Sequence, residues 1–286
     1  MKPVHITLML LTAAAWGLNF VATRVILDVF SPQQLAFARA VSTLLILLPW
    51  WQPWRRVSWR FLAASAAVGV IAYYTLYEAI RLTGSLTTVA IGTQLMAPIS
   101  AIIALLAYRE EVSARKWTGI WVATAGAVML AGAAGFSISA LALGLTIVSV
   151  AFYSGGSIVV SKTMSIGIWR LLAWISAVGI LPLGLLAGLS GPLYPDPANI
   201  QAVHWLALLF AIVVSALLGQ AVLFSLYRRY PVAEVAPYVL FVPVFAALFS
   251  VLLYQEHIGL GTAVGGAVTL LGVWIQQTGR SSNFPA

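Results

Sequence analysis

The sequence predicts an all-α membrane protein of about ten transmembrane helices, arranged as two inverted five-helix repeats around a central cavity. Three observations carry that prediction. Hydrophobic residues make up 62% of the 286-residue chain and charged residues 8%, with a mean hydropathy of +0.99, whereas soluble domains hold charge at about a quarter of their residues. Apolar stretches follow one another from Val4 to Gln277, each near the roughly 20 residues a helix needs to cross hydrocarbon. They are continuously apolar, where barrel strands would alternate over about ten residues. Finally, the halves match: Pro98 and Glu111 are answered at an offset of 145 by Pro243 and Glu256, and, after one residue of slippage, Gly119 and Gly126 by Gly265 and Gly272. Five spans is an odd number, so a second copy enters the membrane upside down.

In order, the expected helices are 4–27, 33–49, 61–81, 84–107, 115–134, 137–161, 168–189, 202–227, 232–254 and 259–277. The first follows Lys2 and continues through Trp16, Phe20 and Val25, longer than a signal-peptide core, so it reads as a retained helix. The second ends at the turn Pro49 to Pro53, and Arg109 to Lys116 separates the fourth from the fifth. Pro98 and Pro243 fall inside the fourth and ninth, where each removes a backbone donor and frees the carbonyl of Gln94 or Val239, which predicts kinks that could act as hinges. Gly191-Pro192 and Pro195-Asp196-Pro197 close the seventh, and Tyr230-Pro231 the eighth. Small residues mark the fifth (Gly119, Ala123, Gly126) and tenth (Gly261, Gly265, Gly272) as closely packing helices. The chain divides into a first repeat, 1–134, a second, 135–280, and a tail, 281–286.

A net charge of +8 does not imply nucleic acid, because Lys and Arg stand singly between apolar runs. With the N-terminus inside, twelve of the fifteen face the cytoplasm, leaving Arg24, Arg39 and Arg81 outside near helix ends. The expected location is a bacterial inner membrane, multi-pass, with both termini cytoplasmic and Ser137 and Asn199 outside. Trp50, Trp51, Trp54 and Trp59 form an interfacial belt. The chain has no Cys, and its three His are far apart, so neither a metal centre nor a cofactor is expected.

The run Trp16-Gly17-Leu18-Asn19-Phe20, the segment from Leu35 to Arg39 and the two Pro-apolar-Glu strings resemble the drug/metabolite transporter superfamily, specifically its EamA-type ten-helix exporters. Within it the chain looks similar to bacterial exporters of aromatic and other neutral amino acids. The resemblance implies a basket of helices around a central path, buttressed by helices 5 and 10.

Polar groups in hydrocarbon are costly unless they face the interior, so the candidate substrate-binding residues are those at mid-depth. They are Trp16 and Asn19 in helix 1, Tyr73, Tyr77 and Glu78 in helix 3, Gln94 in helix 4, Tyr153, Ser154 and Ser157 in helix 6, and Trp174, Gln220 and Tyr238 beyond. Such a lining suits the export of neutral, aromatic or large aliphatic amino acids by a monomer whose partners are this small-molecule substrate and membrane lipid. Glu78 lies toward the outer end of its helix, which favours a uniporter over proton exchange. Proton-coupled efflux of drugs or other metabolites stays open, as does an intramembrane enzyme, although no Ser-His pairing can be inferred for one. No repeated filter residues point to a channel.

Overall fold

The computed structural model describes residues 1–51, 57–83, 89, 92–93, 95–109, 112–132, 140–163, 166–254 and 260–277. Among these there are ten helices and no strands. The first is α1, Pro3–Leu27, which opens on a proline whose missing N–H would have no acceptor in a first turn. Helix α2, Pro32–Leu47, starts with a capping box in which Ser31 and Gln34 satisfy each other's backbone donors. Helix α3 runs as α-helix from Trp59–Ala66, as π-helix over Ala67–Ala72 and as α-helix again over Tyr73–Thr83. Then come α4, Met96–Tyr108, and α5, Ala114–Gly132.

The second set begins with α6, Ala140–Thr163, and α7, Ile168–Ser190. Helix α8 repeats the construction of α3, with α-helix over Ala202–Phe210, π-helix over Ala211–Gly219 and α-helix over Gln220–Arg229. Helix α9 is broken: Val232–Val235 is α-helical, Ala236–Phe241 is a 3-10 stretch and Val242–Tyr254 is α-helical. The last is α10, Leu260–Gln277.

The all-helical, multi-pass architecture of ten helices agrees with the sequence. By length and composition, five helices among the described residues can each cross a membrane: α1, α3, α6, α7 and α8. Helix α2 has only 16 residues and the described part of α4 only 13, and α9 is interrupted. A short helix can span by thinning the bilayer locally or by packing among longer neighbours. Pro98 is the third residue of α4 and Pro243 the second of the final segment of α9. Pro243 thus stands where α9 passes from its 3-10 stretch back to α-helix, and Pro98 in the first turn of the described part of α4.

Small residues let α5 and α10 pack backbone to backbone. A Cβ on Gly126 would strike the Thr269 nitrogen, and one on Gly272 the Ala123 backbone. At one end of the bundle, Glu234 of α9 gathers the chain's own amino group at 3.7 Å and Lys116 of α5 at 3.9 Å. Beside it, Tyr230 shares a 2.7 Å hydrogen bond with His5. These contacts tie the first helix set to the second.

Candidate functional site

The two π-helical stretches shape the centre of the molecule. A π turn widens the helix and misaligns its carbonyls, leaving acceptors for other groups. In α3 the Ala72 carbonyl accepts from Ser149 of α6 at 2.7 Å, and in α8 the Ser215 carbonyl accepts from the Trp16 indole of α1 at 3.0 Å. Each π stretch is thus satisfied by the first helix of the other five-helix set. Gly219 makes room for the second contact, since a Cβ there would lie 2.7 Å from the Trp16 nitrogen. The residues directly after the two stretches also meet, with Gln220 donating through its amide to the Tyr73 hydroxyl.

A cavity of about 120 Å³ opens between these helices. It has room for several waters or one side-chain-sized ligand. Helix α1 supplies Trp16, Asn19, Phe20 and Thr23; α3 supplies Ala72, Tyr73, Leu76 and Ile80; α6 supplies Ser149, Val150 and Tyr153. Thr93, Met96, Ser215, Val239 and Val242 complete the lining. One wall is a chain of aromatic rings. Trp16 meets Tyr153 edge to face at 6.5 Å, Tyr153 meets Tyr73 edge to face at 5.9 Å, and Tyr73 packs on Tyr77 at 6.1 Å. Edge-to-face rings are held by their quadrupoles as well as by burial. On the α1 side, Asn19 donates to Thr23 at 3.3 Å while its carbonyl oxygen is buried with no partner among the described residues. An orphan acceptor of this kind costs about 1–3 kcal/mol unless something in the cavity donates to it.

Arg39 departs from its expected place at an outer helix end. It is the eighth of the 16 residues of α2, and its guanidinium carbon lies 3.3 Å from the centroid of the Tyr73 ring. Tyr77 and Tyr153 stand close enough to interact with it electrostatically, but no carboxylate among the described residues pairs with it. A cation at mid-membrane costs about 2.5–3.5 kcal/mol on insertion scales, and a desolvated cation–π contact returns about 2 kcal/mol. The sequence signal for Arg39 was present, since an Arg between apolar residues is itself costly. Only the structure shows that its guanidinium turns onto Tyr73.

Of the sequence candidates, Trp16, Asn19, Tyr73 and Tyr153 line the cavity, while Tyr77 and Gln220 hold Tyr73 from behind. Others are not brought there. Ser154 and Ser157 are buried in α6 with hydroxyls lacking a partner among the described residues. Trp174 packs against Trp51 at 6.3 Å, and Tyr238 is buried in the 3-10 stretch of α9. Glu78 is occupied by Arg81 at 2.8 Å, Gln33 at 3.1 Å and Tyr74 at 3.2 Å. Gln94, Glu111 and Glu256 lie outside the described residues.

Comparison with known proteins adds the family. The model of the EamA-like transporter family matches residues 4–132 and again 141–276. A protein of Archaeoglobus fulgidus described as an uncharacterized transporter is 26% identical, the match covering 94% of this chain and 95% of that protein. A probable amino-acid metabolite efflux pump of Escherichia coli is 24% identical, with 95% and 94% covered. One crystal structure superposes with a TM-score of 0.79 at 14% identity, covering 97% of this chain and 99% of that one, which establishes a shared fold.

Proposed function

The chain belongs to the EamA-like transporter family, and we propose that it exports neutral amino acids with aromatic or large aliphatic side chains, or similar amphipathic metabolites, through the central cavity. The observation that carries this reading is the mixed lining: an aromatic wall of Trp16, Tyr73 and Tyr153 shares the cavity with Asn19, whose buried carbonyl oxygen has no partner among the described residues. The wall suits an apolar side chain, and the Asn19 oxygen suits an ammonium donor. The efflux-pump name of the E. coli relative is in keeping with it.

In this reading the cavity changes sides by alternating access between two inverted five-helix repeats. The π stretches at the third position of each set, each satisfied by a helix of the other, support such a relation. Transport is uniport, because no acidic side chain among the described residues lines the cavity. The test is uptake of labelled phenylalanine and leucine into liposomes containing the purified protein. Flux should proceed without a pH gradient and fall with unlabelled competitor. Strict dependence on an imposed proton gradient overturns uniport, and absence of amino acid flux overturns the cargo.

A further inference from the structure

We propose that Arg39 is the carboxylate anchor of the cavity, so that the cargo is a monocarboxylate with an apolar body; this rests on the transporter reading and narrows its substrate class. The argument begins with how the guanidinium is held. At 3.3 Å between its central carbon and the Tyr73 centroid, the guanidinium must lie flat on the ring, because an edge-on approach would drive its nitrogens into the ring atoms. A flat stack uses the face of the group and turns its five N–H donors sideways, where the Tyr73 and Tyr77 hydroxyls engage some of them and leave the others. Two parallel N–H bonds from the edge of the group are the geometry that recognises a carboxylate.

The surroundings supply no competing anion. Among the described residues, no carboxylate lies within ion-pair distance of Arg39, and Glu78 of the neighbouring α3 is bound to Arg81 at 2.8 Å. The Tyr73 ring under the cation is itself cavity wall, fixed by Gln220. A cation behind the wall of an otherwise uncharged cavity makes it electropositive, which draws a negative group inward and opposes an amine that lacks one. Arg39 does not itself line the cavity, so an arriving carboxylate finds the guanidinium already oriented and reaches its edge past the margin of the Tyr73 ring.

The experiment compares two probes of nearly equal shape, 3-phenylpropionate and 3-phenylpropanamide, binding to the full-length protein in detergent, measured by calorimetry alongside liposome flux. The wild type should bind the acid at least tenfold more tightly than the amide. Arg39→Gln should weaken the acid at least tenfold and change the amide less than twofold, and Arg39→Lys should fall between because it keeps charge but loses the fork. A purely structural role would move both probes together, which overturns the proposal. If Arg39→Gln does not fold, the wild-type comparison decides alone: equal binding of acid and amide, or no binding of the acid, overturns it. Flux of a carboxylate-free amine such as phenethylamine would then leave the transporter reading standing. Arg39-dependent acid binding without amino acid flux would do the reverse, sinking the export reading and keeping the anchor.

Discussion

Trp16 serves the cavity twice, through its ring, which meets Tyr153, and through its indole N–H, which takes the Ser215 carbonyl that the π stretch of α8 leaves for it. Truncation to alanine therefore removes both the wall and the partner of a π-helical carbonyl. Trp16→Ala and Asn19→Ala should each lower liposome flux at least tenfold while the protein still purifies in normal amount; wild-type flux in both would remove these residues from the path. Glu78 is the contrasting case. Its carboxylate is engaged by Arg81, Gln33 and Tyr74 and does not line the cavity. Glu78→Gln should keep flux within twofold of wild type, and its pH profile unchanged. A loss of transport, or a new dependence on pH, would return Glu78 to the mechanism.

At the level of elements, the prolines and the glycines make opposite predictions. Pro98 stands in the first turn of the described part of α4 and Pro243 at the passage from 3-10 to α-helix in α9, and replacing either should cost less than about 1 kcal/mol because a proline donates no backbone hydrogen bond that alanine would lose. An alanine at 243 nevertheless restores a donor next to the 3-10 stretch Ala236–Phe241, which carries the cavity residue Val239. Pro243→Ala is therefore expected to alter flux severalfold with little shift in melting temperature, and unchanged flux would reduce that proline to static shape. Gly272 is held against the backbone of Ala123, so Gly272→Ala should destabilise by about 1–3 kcal/mol through overpacking. Gly144 is the control, because a Cβ at that position would have no atom within 4 Å. Gly144→Ala should be neutral or stabilising by up to about 1 kcal/mol. Thermal melts of the two variants check the pair.

For the whole molecule, the decisive property is which side of the membrane each loop occupies. The chain has no native Cys, so single cysteines can be introduced without removing others. Cysteines at Arg56 and Asn199 should react with an impermeant maleimide from opposite sides, as an inside N-terminus and inverted halves require. Labelling from the same side would defeat the inverted arrangement. The contacts of Glu234 with the chain's amino group and with Lys116 join the two helix sets at one end of the bundle.

The number, order and approximate limits of the helices were legible in the sequence, because crossing hydrocarbon demands long apolar runs and turn chemistry has to fall between them. The tight α5–α10 seam was legible too, since only small residues permit such an approach. Trp16, Asn19, Tyr73 and Tyr153 could be chosen because polar and aromatic groups at mid-depth need interior partners. The tertiary structure decided the rest. A π turn leaves no residue signature, so nothing in Ala67–Ala72 or Ala211–Gly219 announced the carbonyls that organise the centre. Mid-depth position alone also could not separate Tyr153 from Ser154, one residue away, because which of them faces the cavity depends on how α6 is rotated against its neighbours. Arg39 shows the same limit: charge and position along the chain fit an interfacial residue, and only the packing of α2 against α3 lays its guanidinium on Tyr73.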